Sequence, residues 1–84
     1  MKKTILLILM GNRTGTAVKV QEILTDMGCY IKTRLGIHDG TPEACTNTGL
    51  VVLELIGDES HMHDLENSLN EVPDVKAELV KMSL

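Results

Sequence analysis

The sequence predicts a single α+β domain over residues 1–84, in which a four-stranded antiparallel sheet carries two helices on one face. The predicted elements follow the order strand, helix, strand, strand, helix, strand,. Two of the strands, at residues 4–10 and 50–56, are apolar at nearly every position. Side chains that are apolar on both faces are typical of strands at the centre of a sheet. Right-handed crossovers place the first and third strands there, so the expected fold is ferredoxin-like.

The first strand and first helix are separated by a turn at residues 11–15, which is rich in turn-forming residues,. Apolar residues at i, i+3, i+4 and i+7 then predict a helix whose inner stripe is Val20, Ile23, Leu24 and Met27,. Thr14 or Thr16 is expected to cap its start, and Gly28 to end it.

The second strand is predicted at residues 30–37 from a regular alternation. Ile31, Thr33, Leu35 and Ile37 share one side, and Tyr30, Lys32, Arg34 and Gly36 share the other,. Residues 38–47 are polar and contain Gly40 and Pro42, which predicts a long loop,.

The second half of the chain supplies a strand at residues 48–56, a helix and a last strand. Asp58 is a suitable N-cap, and Pro73 ends the helix,. The apolar stripe of this helix is Met62, Leu65, Leu69 and Val72. The last strand, at residues 75–82, is interrupted by charges and is therefore expected at a sheet edge,.

Two helices can cover only one face of this sheet, so the other face is expected to expose a large aliphatic patch. Burial of that patch favours a homodimer or a larger homo-oligomer formed through the sheet. On the third strand the exposed parity is the one that carries Glu54, and Lys32 and Arg34 are expected beside it. The predicted interface residues are Lys32, Arg34, Leu50, Val52, Glu54 and Ile56.

Composition excludes several classes of function. Aromatic residues make up 1% of the chain and the net charge is −4, which argues against direct binding of nucleic acid,. No apolar run approaches transmembrane length, so no membrane partner is expected. The two cysteines, Cys29 and Cys45, form no CxxC motif, and we expect reduced thiols in a cytoplasm,.

The turn Asn12-Arg13-Thr14-Gly15 is the first candidate binding site. It leads into a helix N-terminus, where free N–H groups and the helix dipole favour an anion, and Arg13 adds a forked donor. An ordinary connection between a strand and a helix explains the two flanking glycines equally well.

A metal site is an alternative, because His38 and Cys45 share one predicted loop,. His61 and His63 are two residues apart on a helix, and this spacing is poor for chelation by one subunit. No nucleophile with a base and no pair of carboxylates stands out, so we expect neither an enzyme nor a cofactor.

The element order and the turn at residues 12–15 resemble ACT-type regulatory domains. In more detail, residues 17–24 (AVKVQEIL) and 31–37 (IKTRLGI) resemble small regulators of iron-only hydrogenase systems. Those proteins are similar to the C-terminal domain of nickel-responsive repressors. The resemblance implies a cytoplasmic bacterial regulatory module that assembles through its sheets, with Asn12, Arg13, Thr14 and Gly15 at a ligand site.

The function expected from these observations is a stand-alone, non-catalytic sensor of a small anionic ligand, or a modulator of a partner protein. A transition-metal sensor or carrier, a small enzyme, and a purely structural interaction protein remain as alternatives.

Overall fold

A computed structural model describes the backbone of residues 1–41 and 44–84, and the side chains of residues 1–37 and 48–84. The elements are β1 (Lys2–Met10), α1 (Thr16–Asp26), a 3₁₀ turn (Gly28–Tyr30), β2 (Ile31–Thr41), β3 (Ala44–Leu55), α2 (Glu59–Asn70) and β4 (Val75–Ser83). The strands form one antiparallel sheet in the order β2-β3-β1-β4. The ferredoxin-like fold predicted from the sequence is confirmed, with β1 and β3 at the centre and β4 at an edge.

The core lies between the sheet and the two helices. From the sheet, the side chains of Leu6, Ile8, Val51, Leu53, Leu55 and Ala77 are buried on this side. All four residues of the stripe predicted for α2 are buried, as are Val20 and Leu24 of α1. Ile23 and Met27 are partly buried and pack against the same cluster.

The alternation predicted for β2 is broken by a register shift between Ile31 and Thr33. Ile31 pairs with Leu55 and packs on the core, whereas Thr33 pairs with Glu54 on the opposite face of the sheet. A bulge of this kind inserts one residue and reverses the side on which later side chains lie. Leu35 and Ile37 therefore face away from the helices, paired with Val52 and Leu50.

Arg34 is the predicted interface residue that this bulge relocates. It pairs with Leu53, whose side chain is fully buried beneath the helices, so Arg34 lies on the helix side of the sheet. The prediction that Arg34 projects beside Glu54 was wrong, because the bulge adds one residue that a regular alternation does not include.

The expected loop at residues 38–47 was also wrong for most of its length. The strands continue to Thr41 and begin again at Ala44, with Gly40 paired to Cys45. A two-stranded ribbon satisfies its own backbone hydrogen bonds and does not require apolar side chains, so its polar sequence resembled a loop.

The outer edge of β4 is covered by side chains from α2. The side-chain amide of Asn70 donates to the Ala77 carbonyl oxygen at 3.0 Å and accepts from the Ala77 N–H at 2.8 Å. Glu66 Oε2 accepts from the Leu79 N–H at 2.9 Å. These bonds occupy backbone groups that an additional strand would need. Neither helix is long and apolar enough to cross a membrane, within the part of the chain that the structure describes.

Candidate functional site

The turn between β1 and α1 ends at Gly15, which is the N-cap of α1 and has a φ of 86°. This left-handed conformation favours glycine. Gly15 has no side chain with which to cap α1, and the first turn of α1 contains no acidic residue. The predicted cap by Thr14 or Thr16 was therefore wrong. Thr16 is instead buried, and its hydroxyl donates to the Pro73 carbonyl oxygen at 3.1 Å.

Asp74 binds this turn from the connection between α2 and β4. Its carbonyl oxygen accepts from the Gly11 N–H at 2.9 Å, and its Oδ2 accepts from the Arg13 N–H at 3.1 Å. A Cβ at position 11 would overlap the Asp74 carboxylate, so a larger residue there would displace that side chain. A carboxylate of the protein itself thus lies where an anion was expected.

Asp74 was not among the predicted site residues, although the sequence around it indicates a turn. Pro73-Asp74 follows directly after the apolar stripe of α2, and this dipeptide is typical of turns,. Asp74 has a φ of 68°, the left-handed region that Asp and Asn tolerate better than most residues,. Residue type therefore fits the backbone, but only the fold places it against residues 61 positions earlier.

A cavity of about 160 Å³ remains beside the turn, on the side of α1 that faces the end of α2. Arg13, Gly15, Thr16 and Lys19 line it from the turn and α1. Val72 and Pro73 close the other side. The arrangement combines two cations with a helix N-terminus, which suits a small anion.

The face of the sheet opposite the helices carries the rest of the predicted site. Leu50, Val52 and Glu54 lie on this face, since Val51, Leu53 and Leu55 are buried on the other. Ile56, just beyond the end of β3, is 45% exposed. The aliphatic side chains that the strand pairing places on this open face are Ile5, Leu7, Leu9, Leu35, Ile37, Leu50, Val52 and Val80. Among them Leu9 and Leu35 are the most exposed, at 57% and 55%.

Glu54 is held by two lysines at one end of the open face. Lys3 Nζ donates to Glu54 Oε2 at 2.9 Å, and Lys32 Nζ lies 3.9 Å from the same oxygen. The hydrogen bond from Lys3, more than the charges of Lys3 and Lys32, holds the pKa of Glu54 below its ordinary value of 4.5,. Of the two basic residues expected beside Glu54, the structure brings Lys32 there and moves Arg34 away.

The histidines with described side chains lie apart on α2. His61 stacks on Tyr30 with ring centroids 4.4 Å apart. Its Nδ1 lies 3.2 Å from Asp58 Oδ2, within ion-pair distance but without hydrogen-bond geometry. His63 Nδ1 is 3.7 Å from Glu66 Oε1.

No group of three potential metal ligands occurs among the side chains that the structure describes. The alternative ligands His38 and Cys45 lie outside those residues, so their pairing stays a prediction.

Comparison with known proteins gives the fold. No protein-family model matches the sequence, and no curated protein sequence does. An uncharacterized protein from Thermotoga maritima is similar in structure, with a TM-score of 0.82 at 24% identity, over 99% of this chain and all of that one. A formyltetrahydrofolate deformylase from Pseudomonas putida KT2440 is similar at a TM-score of 0.55 and 16% identity, over 93% of this chain and 28% of that one. At these identities the likeness supports the shared ferredoxin-like fold.

Replacing Asp74 by alanine is expected to lower the free energy of unfolding by about 1–3 kcal/mol. The change removes the acceptor of the Arg13 N–H and places alanine in a left-handed backbone conformation. Asp74→Asn keeps an acceptor oxygen and a residue that tolerates this φ, so its cost should stay below about 1 kcal/mol. Urea denaturation at pH 7 measures both, and equal losses would contradict the role of the side chain.

The ion pair of Glu54 predicts a specific dependence of stability on pH. Because the folded protein has the lower pKa, the contribution is present above the ordinary value of 4.5 and is lost as pH falls through the folded pKa,. Glu54→Gln should therefore flatten the fall of melting temperature between neutral pH and pH values below 4.5. Glu22→Gln, on the exposed side of α1, is the control, and an unchanged acid slope in Glu54→Gln would oppose this assignment.

Proposed function

We propose that this protein is a non-catalytic regulatory module of the ACT type. It self-associates through the open face of its sheet and binds a small anionic ligand at the turn between β1 and α1. The observation that carries the proposal is the open face, where eight aliphatic side chains lie together with an ion-pair cluster at one end. A monomer rarely exposes a continuous apolar surface of this kind.

The energy available on the open face is sufficient for association. Complete burial of one aliphatic side chain contributes about 1.5–3 kcal/mol. Four of these side chains are 38–57% exposed, and the others are partly buried already. Each protomer therefore contributes roughly 4–10 kcal/mol when its face is covered. Association costs about 4–15 kcal/mol, and a dimer obtains the gain from two faces. The balance favours a dimer at micromolar concentration.

The surroundings of the open face direct association toward it. Asn70 and Glu66 already occupy backbone groups on the edge of β4, which opposes growth of the sheet from that side,. Glu54 keeps a lysine partner within its own chain, so covering the face does not bury an unpaired charge,. A second copy of the chain supplies the matching apolar surface.

Val52→Asp is expected to convert the oligomer into a monomer. Val52 lies between Leu7 and Leu35 at the centre of the open face, where a carboxylate would be buried without a partner,. Analytical ultracentrifugation across micromolar concentrations measures the change. Val18→Asp makes the same substitution on the outer side of α1, where Val18 is 62% exposed, and should not alter the mass. A wild-type protein that sediments as a monomer would exclude the proposed assembly.

The ligand is proposed to bind at Asn12, Arg13, Thr14 and Gly15, with Lys19 beside them. Support comes from the cavity at this turn, from a first turn of α1 without acidic residues, and from two cations on the cavity wall. The Asp74 carboxylate, bound to the Arg13 N–H, fixes the turn before a ligand arrives. Preorganisation of this kind lowers the entropy lost on binding.

Arg13→Ala is expected to abolish stabilisation by the ligand and to leave the melting temperature of the free protein unchanged. The Arg13 side chain makes no ion pair with the described residues, so its loss should not affect folding. Thermal-shift screening of amino acids, nucleotides and divalent metals on the wild type identifies the ligand. A ligand at one hundred times its dissociation constant adds about 2.7 kcal/mol, which raises the midpoint by roughly ten degrees or more.

Lys2→Ala, at the far end of β1, is the matched control for removal of a cation. A wild type that no anionic compound stabilises, or an Arg13→Ala variant that responds as the wild type does, would refute the ligand site. In the proposal the occupied module acts on a partner protein in a bacterial cytoplasm, and the sequence resemblance suggests the regulation of an iron-only hydrogenase system.

A further inference from the structure

A second cavity lies on the helix side of the sheet, between α1 and β2. Its volume is about 220 Å³. Ala17, Val20 and Gln21 form the wall on α1, and Gly36 and Val51 belong to the floor. We call this space the α1–β2 groove. It is separate from the cavity at the turn, which lies on the other side of α1.

Gly36 is a glycine that the backbone does not require. Its φ is not in the left-handed region, and a Cβ at this position would meet no atom within 4 Å. Glycine weakens the interior of a strand, since the unfolded chain loses more conformational entropy at a glycine and glycine has no side chain to pack. In the structure, Gly36 leaves the floor of the groove open. Almost any other side chain at this position would occupy part of the space.

Arg34 is the charged residue that lines the groove. Its side chain forms no ion pair with the part of the chain whose side chains are described. The other lining residues include the partly exposed apolar side chains of Met10 and Ala17 and the polar side chains of Gln21 and Thr48. Val20 and Val51 are buried beneath them. A guanidinium at the rim of an apolar groove can bind a carboxylate through two parallel hydrogen bonds.

We propose that the α1–β2 groove binds a small aliphatic monocarboxylate, with its hydrocarbon tail against Met10 and Ala17 and its carboxylate on Arg34. The volume sets the size of the ligand. A water molecule occupies about 30 Å³ of the liquid, so 220 Å³ holds a molecule of roughly six to eight heavy atoms,. This is below the range of about 300–1,000 Å³ that is usual for larger ligands. One cation and an apolar floor match one carboxylate and one alkyl chain.

Isothermal titration with hexanoate tests the proposal, with the neutral isostere hexanamide as the comparison ligand. We expect saturable binding of hexanoate and at least tenfold weaker binding of hexanamide, because only the carboxylate forms charge-assisted hydrogen bonds. Arg34→Gln should weaken hexanoate binding at least tenfold. Gly36→Val should abolish it by filling the floor of the groove. Lys2→Gln on β1 and Thr33→Val on β2 make matched changes outside the groove and should bind as the wild type does.

Several results would overturn the proposal. They are the absence of saturable heat from the wild type at millimolar hexanoate, equal binding of hexanamide, and normal binding by Arg34→Gln or Gly36→Val. Loss of binding in Val52→Asp would place the ligand on the open face instead. Binding that weakens as protein concentration rises would mean that a second copy occupies the groove. If Gly36→Val loses its circular-dichroism spectrum, Gly36→Ala replaces it, and an unchanged dissociation constant in that variant would reject the site.

Discussion

Antiparallel pairing of β1 with β3 organises both faces of the sheet. These two strands form the centre of the sheet, and each is apolar on both faces. On one face, Leu6 opposite Leu53 provides the surface on which α1 and α2 pack. On the other, Leu7 opposite Val52 is left without a covering element of the same chain. A single pairing therefore creates both the hydrophobic core and the surface proposed for assembly.

The two connections that lead into and out of the helices are joined to each other. Asp74 binds the turn that precedes α1, and the Thr16 hydroxyl binds the carbonyl of Pro73. The turn with the candidate anion site is therefore positioned by the end of α2, and a ligand there would act on both helices at once. Coupling between a site and the packing of helices is a physical route by which occupancy could reach the assembly.

The two edges of the sheet differ in whether α2 covers them. The edge of β4 is covered by Asn70 and Glu66, whereas β2 extends past the domain as a ribbon with β3. On the helix side of β2, Arg34 and Gly36 border a groove that α1 leaves open. The surface proposed for assembly and the groove beside β2 thus lie on parts of the sheet that α2 does not cover.

The order of elements, the central position of β1 and β3, and the buried stripe of α2 were all predictable from residue types, and the structure confirms them. These features depend on local periodicity and on the crossover rule, both of which can be read from residue types. The sequence also placed Leu50, Val52 and Glu54 together on the open face, because a polar residue within an apolar strand identifies the parity that faces outward.

Three features depend on contacts between distant parts of the chain. They are the face that Arg34 occupies, the binding of Asp74 to the turn before α1, and the continuation of the polar segment after Ile37 as a strand. One inserted residue between Ile31 and Thr33 reverses the side chains from Thr33 to Ile37, and no periodicity reveals the insertion in advance,. Asp74 and Arg13 are 61 residues apart, so their contact exists only after the sheet has aligned β1 with β4. Local patterns fix what a segment prefers, whereas the pairing of distant strands fixes what it meets.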